Sequence, residues 1–487
     1  MRSLFLIALP LATSGWVASS NALSHRATFV ARTATAPQFK PPLPIKAVAV
    51  PADDAKPLRK AGGIPHWLEE GFEVCEKGTV PGAALVLATA VSLTLANLPM
   101  TSTAWLGLWA THVGPAIGGH ALSVNAWINE GLMAIFFFVV GLEIKQEFRI
   151  GSLATIRKAI LPCLAALGGM VTPMGIYILC QKLLGMGSLC ALTVPMATDI
   201  AFAMGILGFF KANMPLSASA FLLTLATVDD LGAILVLATC FASNVCFPFL
   251  GGACAIFALL AVIGRKKVSD LRIFGAGGVG LWYCLLRSGV NSDIAGVLAA
   301  MCISTRAFVQ PPEEGSKPER LTERAIKRLL PFTALGVMPL FALANTAVKL
   351  GGSAAGATGA AAAAAAASSK ASVTPAVGIA MGLLIGKPLG IFGFTWLADK
   401  LGIASMPTGM NNKHLGVVGM LGGIGFTMCL LLTEVALPSA MQTIPKLAVL
   451  MASAVAALVS AGAMSMLPKV DDGELKELAD GVVDKLE

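Results

Sequence analysis

Residues 197–236 read ATDIAFAMGILGFFKANMPLSASAFLLTLATVDDLGAILV. Two apolar segments, each long enough or nearly so to cross a bilayer, contain three carboxylates: Asp199, Asp229 and Asp230. A charge at the centre of a membrane costs roughly 2.5–3.5 kcal/mol on insertion scales and more in simulations. Three on neighbouring helices need a reason, and a cation or proton site is the usual one.

The surrounding chain has the composition of a membrane protein. Of 487 residues, 56% are hydrophobic and 13% charged, and the mean hydropathy is +0.78. Soluble domains carry about 25% charged residues. The fold class expected is all-α and polytopic. The net charge of +8 does not point to nucleic acid, because the basic residues cluster in short loops, where they set orientation. Ten cysteines look like many, yet most lie in apolar segments (Cys163, Cys180, Cys240, Cys254, Cys284, Cys302, Cys429). With no C-x-x-C and no secreted-type spacing, they read as small buried hydrophobes, not as a disulfide framework or zinc site.

From Val80 on, apolar segments recur, mostly of roughly 17–25 residues, the length a bilayer demands. They fall near 80–98, 125–148, 159–181, 190–210, 217–241, 247–264, 271–286, 290–304, 328–349, 375–398, 415–434 and 445–466, about twelve spans. Alternate loops differ in charge. One set holds Lys145, Arg149, Arg157, Lys158, Lys211, Arg265, Lys266, Lys267, Arg272, Arg306, Lys317, Arg320, Arg324, Lys327, Lys400, Lys413 and Lys469. The other holds Lys182, Arg287, Lys349, Lys370 and Lys446. The positive-inside rule puts both termini and the first set on the cytoplasm-like side, called inner below.

Outside these spans the chain divides as follows. Residues 1–52 read as a cleavable leader. Arg2, the apolar run Leu4–Leu11 and Ser20-Asn21-Ala22 form a signal peptide; residues 23–52 carry Arg26, Arg32, Lys40 and Lys46 and no acid, as transit peptides do. Two-part leaders of this kind belong to plastid proteins of algae with complex plastids, so the plastid envelope or thylakoid is expected. The competing reading is a secretory signal with a disordered tail, and hence a plasma or endomembrane location. Residues 53–78 form a mixed-charge lead-in with Trp67 as an interfacial anchor. Residues 79–468 form the membrane domain. Within it, 351–372 (GGSAAGATGAAAAAAAASSKAS) is an Ala/Gly-rich insertion in an outer loop. Residues 469–487 are an acidic soluble tail.

Asp229 and Asp230 fall at the middle of their span. Adjacent helical residues point about 100° apart, so the two are not expected to face one partner equally. Like charges this close resist joint ionisation. One carboxylate then holds a proton near neutral pH, and a small cation can replace it. Lys387, in MGLLIGKPLGIFGF, is the only charge inside the tenth span and lies at a similar depth. It is expected to pair with Asp229 or lie close to it, though the sequence leaves open which acid it faces. Pro195 and Thr198 precede Asp199, Gly205 and Gly208 follow it, and the eleventh span carries Gly422, Gly423 and Gly425. Both segments read as interrupted helices. Paired interruptions in two halves mark a transporter site, and Asp199 could balance two positive half-helix ends.

The stretches ATDIAFA, VDDLGAI, LLIGKPLGI, GIGFTM and INEGLMAIFFFVVGLEIKQE with GSLATIRKAILP resemble the NhaA-type sodium/proton antiporters. The likeness runs from about Val80 to Leu467, with the spans in matching order; the leader adds a eukaryotic, algal plastid-type member. The resemblance implies an inverted-repeat fold in which spans three to five mirror spans ten to twelve and two discontinuous helices cross. It implies a Na⁺ and proton site at Asp229 and Asp230, with Asp230 the more direct cation ligand and Lys387 the ionic partner of Asp229. It gives Asp199 and Thr198 a place at the helix crossing, where Asp199 compensates dipoles. It assigns Glu143 and Glu147 to a pH-sensing cluster at the inner funnel, and Glu130 falls where the family also has an acid. The activity implied is electrogenic, pH-regulated exchange of Na⁺ or Li⁺ for H⁺ by a secondary transporter. That transporter needs the lipid bilayer and no cofactor, and it often forms a homodimer. Gln146 stands where a basic residue is expected and Asn291 where histidine is, so the pH set-point is the property most open to change.

Three other readings compete. The same fold can move K⁺ or another cation. A transport-dead homologue is opposed by the intact Asp229, Asp230 and Lys387. An intramembrane aspartyl protease also needs two membrane aspartates, but it would carry a G-x-G-D signature, and Lys387 would have no role.

Overall fold

The computed structural model describes residues 79–117, 120–184, 189–241, 245–309, 319–350 and 373–469. The expected leader (1–52), lead-in (53–78), Ala/Gly-rich insertion (351–372) and acidic tail (469–487, Lys469 excepted) lie outside the described residues.

In lipid, a helix satisfies its backbone N–H and C=O groups within its own segment, and helices dominate here. In chain order they are α1 (Thr79–Asn97), α2 (Ser102–Ala110), α3 (Val124–Arg149), α4 (Ile156–Leu183), α5 (Ile200–Phe209), α6 (Leu216–Cys240), α7 (Phe247–Arg265), α8 (Leu271–Ser288) and α9 (Ile294–Cys302). They continue with α10 (Leu321–Asn345), α11 (Val373–Lys400), α12 (Asn412–Gly422), α13 (Phe426–Ala436) and α14 (Thr443–Ser465). Between the first and second expected spans the chain forms α2 and an antiparallel hairpin, His112–Ile117 with His120–Ser123.

Among the described residues, eight helices are long and apolar enough to cross a membrane: α1, α3, α4, α6, α7, α10, α11 and α14. The α12–α13 pair, bent by 41° at its break, makes a ninth. The three other expected segments, near 190–210, 271–286 and 290–304, are helical too. Of these, α5 and α9 are short and α8 is less apolar.

Two features set the positions of the functional side chains. The first is close packing of α4 against α11. A Cβ on Gly168 would lie 2.4 Å from the Gly390 carbonyl oxygen, and one on Gly390 would lie 2.1 Å from that of Gly168. Small residues of this kind let membrane helices approach backbone to backbone. The second is a set of π turns at Trp127–Leu132 in α3, Thr333–Val337 in α10 and Gly382–Gly386 in α11. Each shifts the helix phase locally, and such turns occur frequently at functional sites. The last ends immediately before Lys387.

Two segments are broken, and the breaks touch. Ahead of α5 the chain makes a short 3₁₀ turn at Val194–Met196 and then runs through Ala197–Asp199 without helical bonding. Gly423–Gly425 separate α12 from α13. The Asp199 N–H donates to the Ile424 carbonyl at 2.8 Å. Thr198 donates to the Gly422 carbonyl at 3.0 Å, and the Cys429 thiol reaches the Val194 carbonyl at 2.9 Å.

Candidate functional site

Thr198, Asp199, Asp229, Asp230 and Lys387 are all buried. The structure brings them together, and it decides the partner that the sequence left open. Lys387 Nζ donates to Asp229 Oδ2 at 2.6 Å and also to Thr198 Oγ1. The Thr198 hydroxyl donates to the same Asp229 oxygen at 2.7 Å. Asp229 is thus tied to the broken segment ahead of α5 and to α11 at once. A charge buried without such a partner would cost several kcal/mol. Asp229 Oδ1 has no hydrogen-bond partner among the described residues.

Asp230 points elsewhere, as its 100° rotation from Asp229 requires. Its carboxylate makes no hydrogen bond or ion pair among the described residues, and its buried Oδ1 has no partner. It lines a cavity of about 470 Å³, together with Glu143, Gln146, Glu147, Asp199, Thr227, Thr333 and Thr427. Glu147, Ile150 and Gly151 continue the lining at the C-terminal end of α3, beside the basic inner loops. The cavity therefore connects the inner face to Asp230.

Asp199 lies between the first turns of two helices. Oδ1 accepts from the Phe202 N–H of α5 at 3.0 Å. Oδ2 accepts from the N–H of Thr427 in α13 at 3.0 Å and from the Thr427 hydroxyl. These N–H groups have no partner inside their own helices, so one carboxylate satisfies both breaks.

Glu143 and Glu147 share a face of α3 and both line the cavity. Glu147 Oε1 accepts from the Ser152 N–H at 2.8 Å, the Ser152 hydroxyl and the Thr224 hydroxyl at 3.3 Å. Glu130 is not brought to this group. It sits in the α3 π turn, about 20 Å away along the helix at 1.5 Å per residue. Its carbonyl accepts from Trp282 Nε1 at 2.6 Å and from Ser292 at 3.3 Å.

Sequence reasoning missed several residues. Thr427 supplies both donors to Asp199 Oδ2 and was visible only as one polar residue in GIGFTM. Lys446, grouped with the outer-loop charges, is buried and paired with Glu434. Asn129 and Asn345 donate across α3 and α10 at 2.7 Å. Their signal was faint: single polar residues at the ends of apolar runs.

Comparison with known proteins identifies the family. The family model described as Na⁺/H⁺ antiporter 1 matches residues 73–464. The chain is 37% identical over 383 residues to the Na⁺/H⁺ antiporter NhaA of Vibrio parahaemolyticus, covering 78% of this chain and 92% of that relative. It is 36% identical over 400 residues to the Na⁺/H⁺ antiporter NhaA of Mesorhizobium japonicum, covering 81% and 94%. A family match over most of the chain, with relatives aligned over nearly their whole length, places the protein in the NhaA-type Na⁺/H⁺ antiporter family.

Proposed function

We propose that this chain is a secondary antiporter exchanging Na⁺ for H⁺ by alternating access. The observation that carries the proposal is the split between adjacent carboxylates. Asp229 is held by Lys387 and Thr198, while Asp230 faces the inner cavity without a partner among the described residues. Asp230 takes a proton or the cation, one replacing the other. A cation at Asp230 recruits the open Oδ1 of Asp229 and weakens the Lys387 contact, so the lysine and Asp230 become the sources of released protons. More than one proton per cation makes the exchange electrogenic. Li⁺, a small hard cation, fits the same oxygen donors.

The other residues support that exchange. Thr198 fixes Asp229, and Asp199 balances the positive ends of α5 and α13 where the two broken segments cross. Glu143 and Glu147 set the pH response at the inner mouth, with Glu130 acting from the other end of α3. The domain spans the bilayer twelve times as two inverted repeats and pairs as a homodimer. The leader composition supports a plastid membrane. The protease alternative finds no support, because both oxygens of Asp199 are occupied and Asp229 is paired with a base.

The test is cation-induced dissipation of ΔpH in everted vesicles from an antiporter-deficient bacterium. The chain from Asp53 is compared with Asp230→Asn, with Na⁺, Li⁺ and K⁺ added in turn. Na⁺ and Li⁺ responses that vanish in Asp230→Asn are expected. A K⁺ response alone would move the assignment to a potassium exchanger. Silence from inserted, folded protein would refute antiport.

A further inference from the structure

The mechanism above leaves the buried Lys446–Glu434 pair unused. Lys446, in the first turn of α14, pairs with Glu434 near the C-terminal end of α13. Its Nζ also lies 3.5 Å from Asn345 Oδ1, at the end of α10. Asn345 donates to Asn129 Oδ1 in the α3 π turn at 2.7 Å, and Asn125, one turn earlier, donates to Glu434 Oε1 at 3.4 Å. Lys446, Asn345 and Asn129 are buried. The Glu434 side chain keeps 23% exposure.

Chain direction places this cluster in the outer half, opposite the inner mouth. Its helices α3, α10 and α13 also wall the inner cavity. The polar groups thus lie on the same helices as the cavity lining, toward their outer ends. Polar and charged side chains inside a membrane bundle mark ion pathways. The ammonium here is surrounded by a carboxylate and an amide oxygen, and such oxygens are also ligands for a hard cation.

We propose that Glu434 and Asn345 form an outer Na⁺ site, which the Lys446 ammonium fills while the outer side is shut. Opening the outer side moves Lys446 away and lets Na⁺ take its place. The displaced ammonium turns into the opened outer water and stays protonated, so Glu434 exchanges one monovalent cation for another and the protein carries the added charge of the bound Na⁺. The inference rests on the antiport reading and extends it to the outer face.

Two measurements test it. In vesicles of both orientations, Glu434→Gln raises the ratio of outer-face to inner-face half-saturating Na⁺ by about tenfold. Lys446→Met, which removes the competing ammonium, lowers that ratio. An unchanged ratio in both variants overturns the outer site. Direct ²²Na⁺ binding to purified protein does not require exchange, so it separates failure of this site from failure of the antiport reading. In an Asp230→Asn background a weaker Na⁺ site remains and is lost on adding Glu434→Gln. Absence of residual binding in the single variant, or its persistence in the double variant, also overturns the proposal.

Discussion

Among the described residues two lysine–carboxylate pairs are buried, and they differ in depth. Lys387 and Asp229 have side-chain exposures of 0% and 2%; Lys446 and Glu434 have 10% and 23%. Thr198 supports the deep pair, whereas amides surround the outer one. The same chemistry therefore has two energetic meanings. Deep in the bundle no water repays a broken contact, so the pair must stay closed until another charge arrives. Nearer the outer face Glu434 keeps 23% exposure, so water offsets part of a broken contact and opening costs less. The site that holds and the outer passage proposed above are each built from a lysine and a carboxylate, at different burial.

Breaking the deep pair should give the largest effect. Lys387→Ala leaves Asp229 buried and unpaired, which costs about 3–5 kcal/mol. Thermal unfolding in detergent should show a much lower midpoint, with exchange lost. A wild-type midpoint would mean that the pair does not hold α6 to α11.

Asp199→Ala comes next. It strands the N–H groups of Phe202 and Thr427, each worth about 1–3 kcal/mol when left unsatisfied. The expected result is a lowered midpoint that Asp199→Asn, which keeps an acceptor, partly restores. Equal destabilisation by both would instead assign the effect to the lost charge.

The outer pair sharpens the contrast. Lys446→Met should lower stability by about 1.5–3 kcal/mol, less than Lys387→Ala, while changing the Na⁺ dependence on the outer face. A loss as large as that of Lys387→Ala would erase the distinction. The smallest effect belongs to Ser152→Ala. Glu147 loses one hydroxyl donor at the inner mouth and keeps the backbone one, for about 0.5–1.5 kcal/mol. The check is an unchanged maximal rate with an altered pH profile.

Much of the site was legible because membrane burial makes polar residues conspicuous. Asp199, Asp229, Asp230 and Lys387 stand out against apolar runs, and the glycines at 422–425 flag a break. Which acid Lys387 meets was not legible. Helix phase depends on the π turn at 382–386, and the propensities of GLLIG do not announce one. Thr427 escaped notice because a threonine in a membrane helix commonly bonds its own preceding turn. Lys446 was misplaced for a related reason. A lysine at a helix end usually snorkels to the interface, and only the return of α13 beside α14 turns it inward. The lengths of α5 and α9 fell short of expectation because the adjoining chain is spent in turns and breaks.

The most direct measurement is proton release on adding Na⁺ to purified protein in weakly buffered detergent, comparing wild type with Asp230→Asn. The account predicts saturable release from wild type and none from Asp230→Asn, with the variant's unfolding midpoint retained because the Lys387–Asp229 pair is intact. Undiminished Na⁺-driven release from a folded Asp230→Asn protein would contradict it.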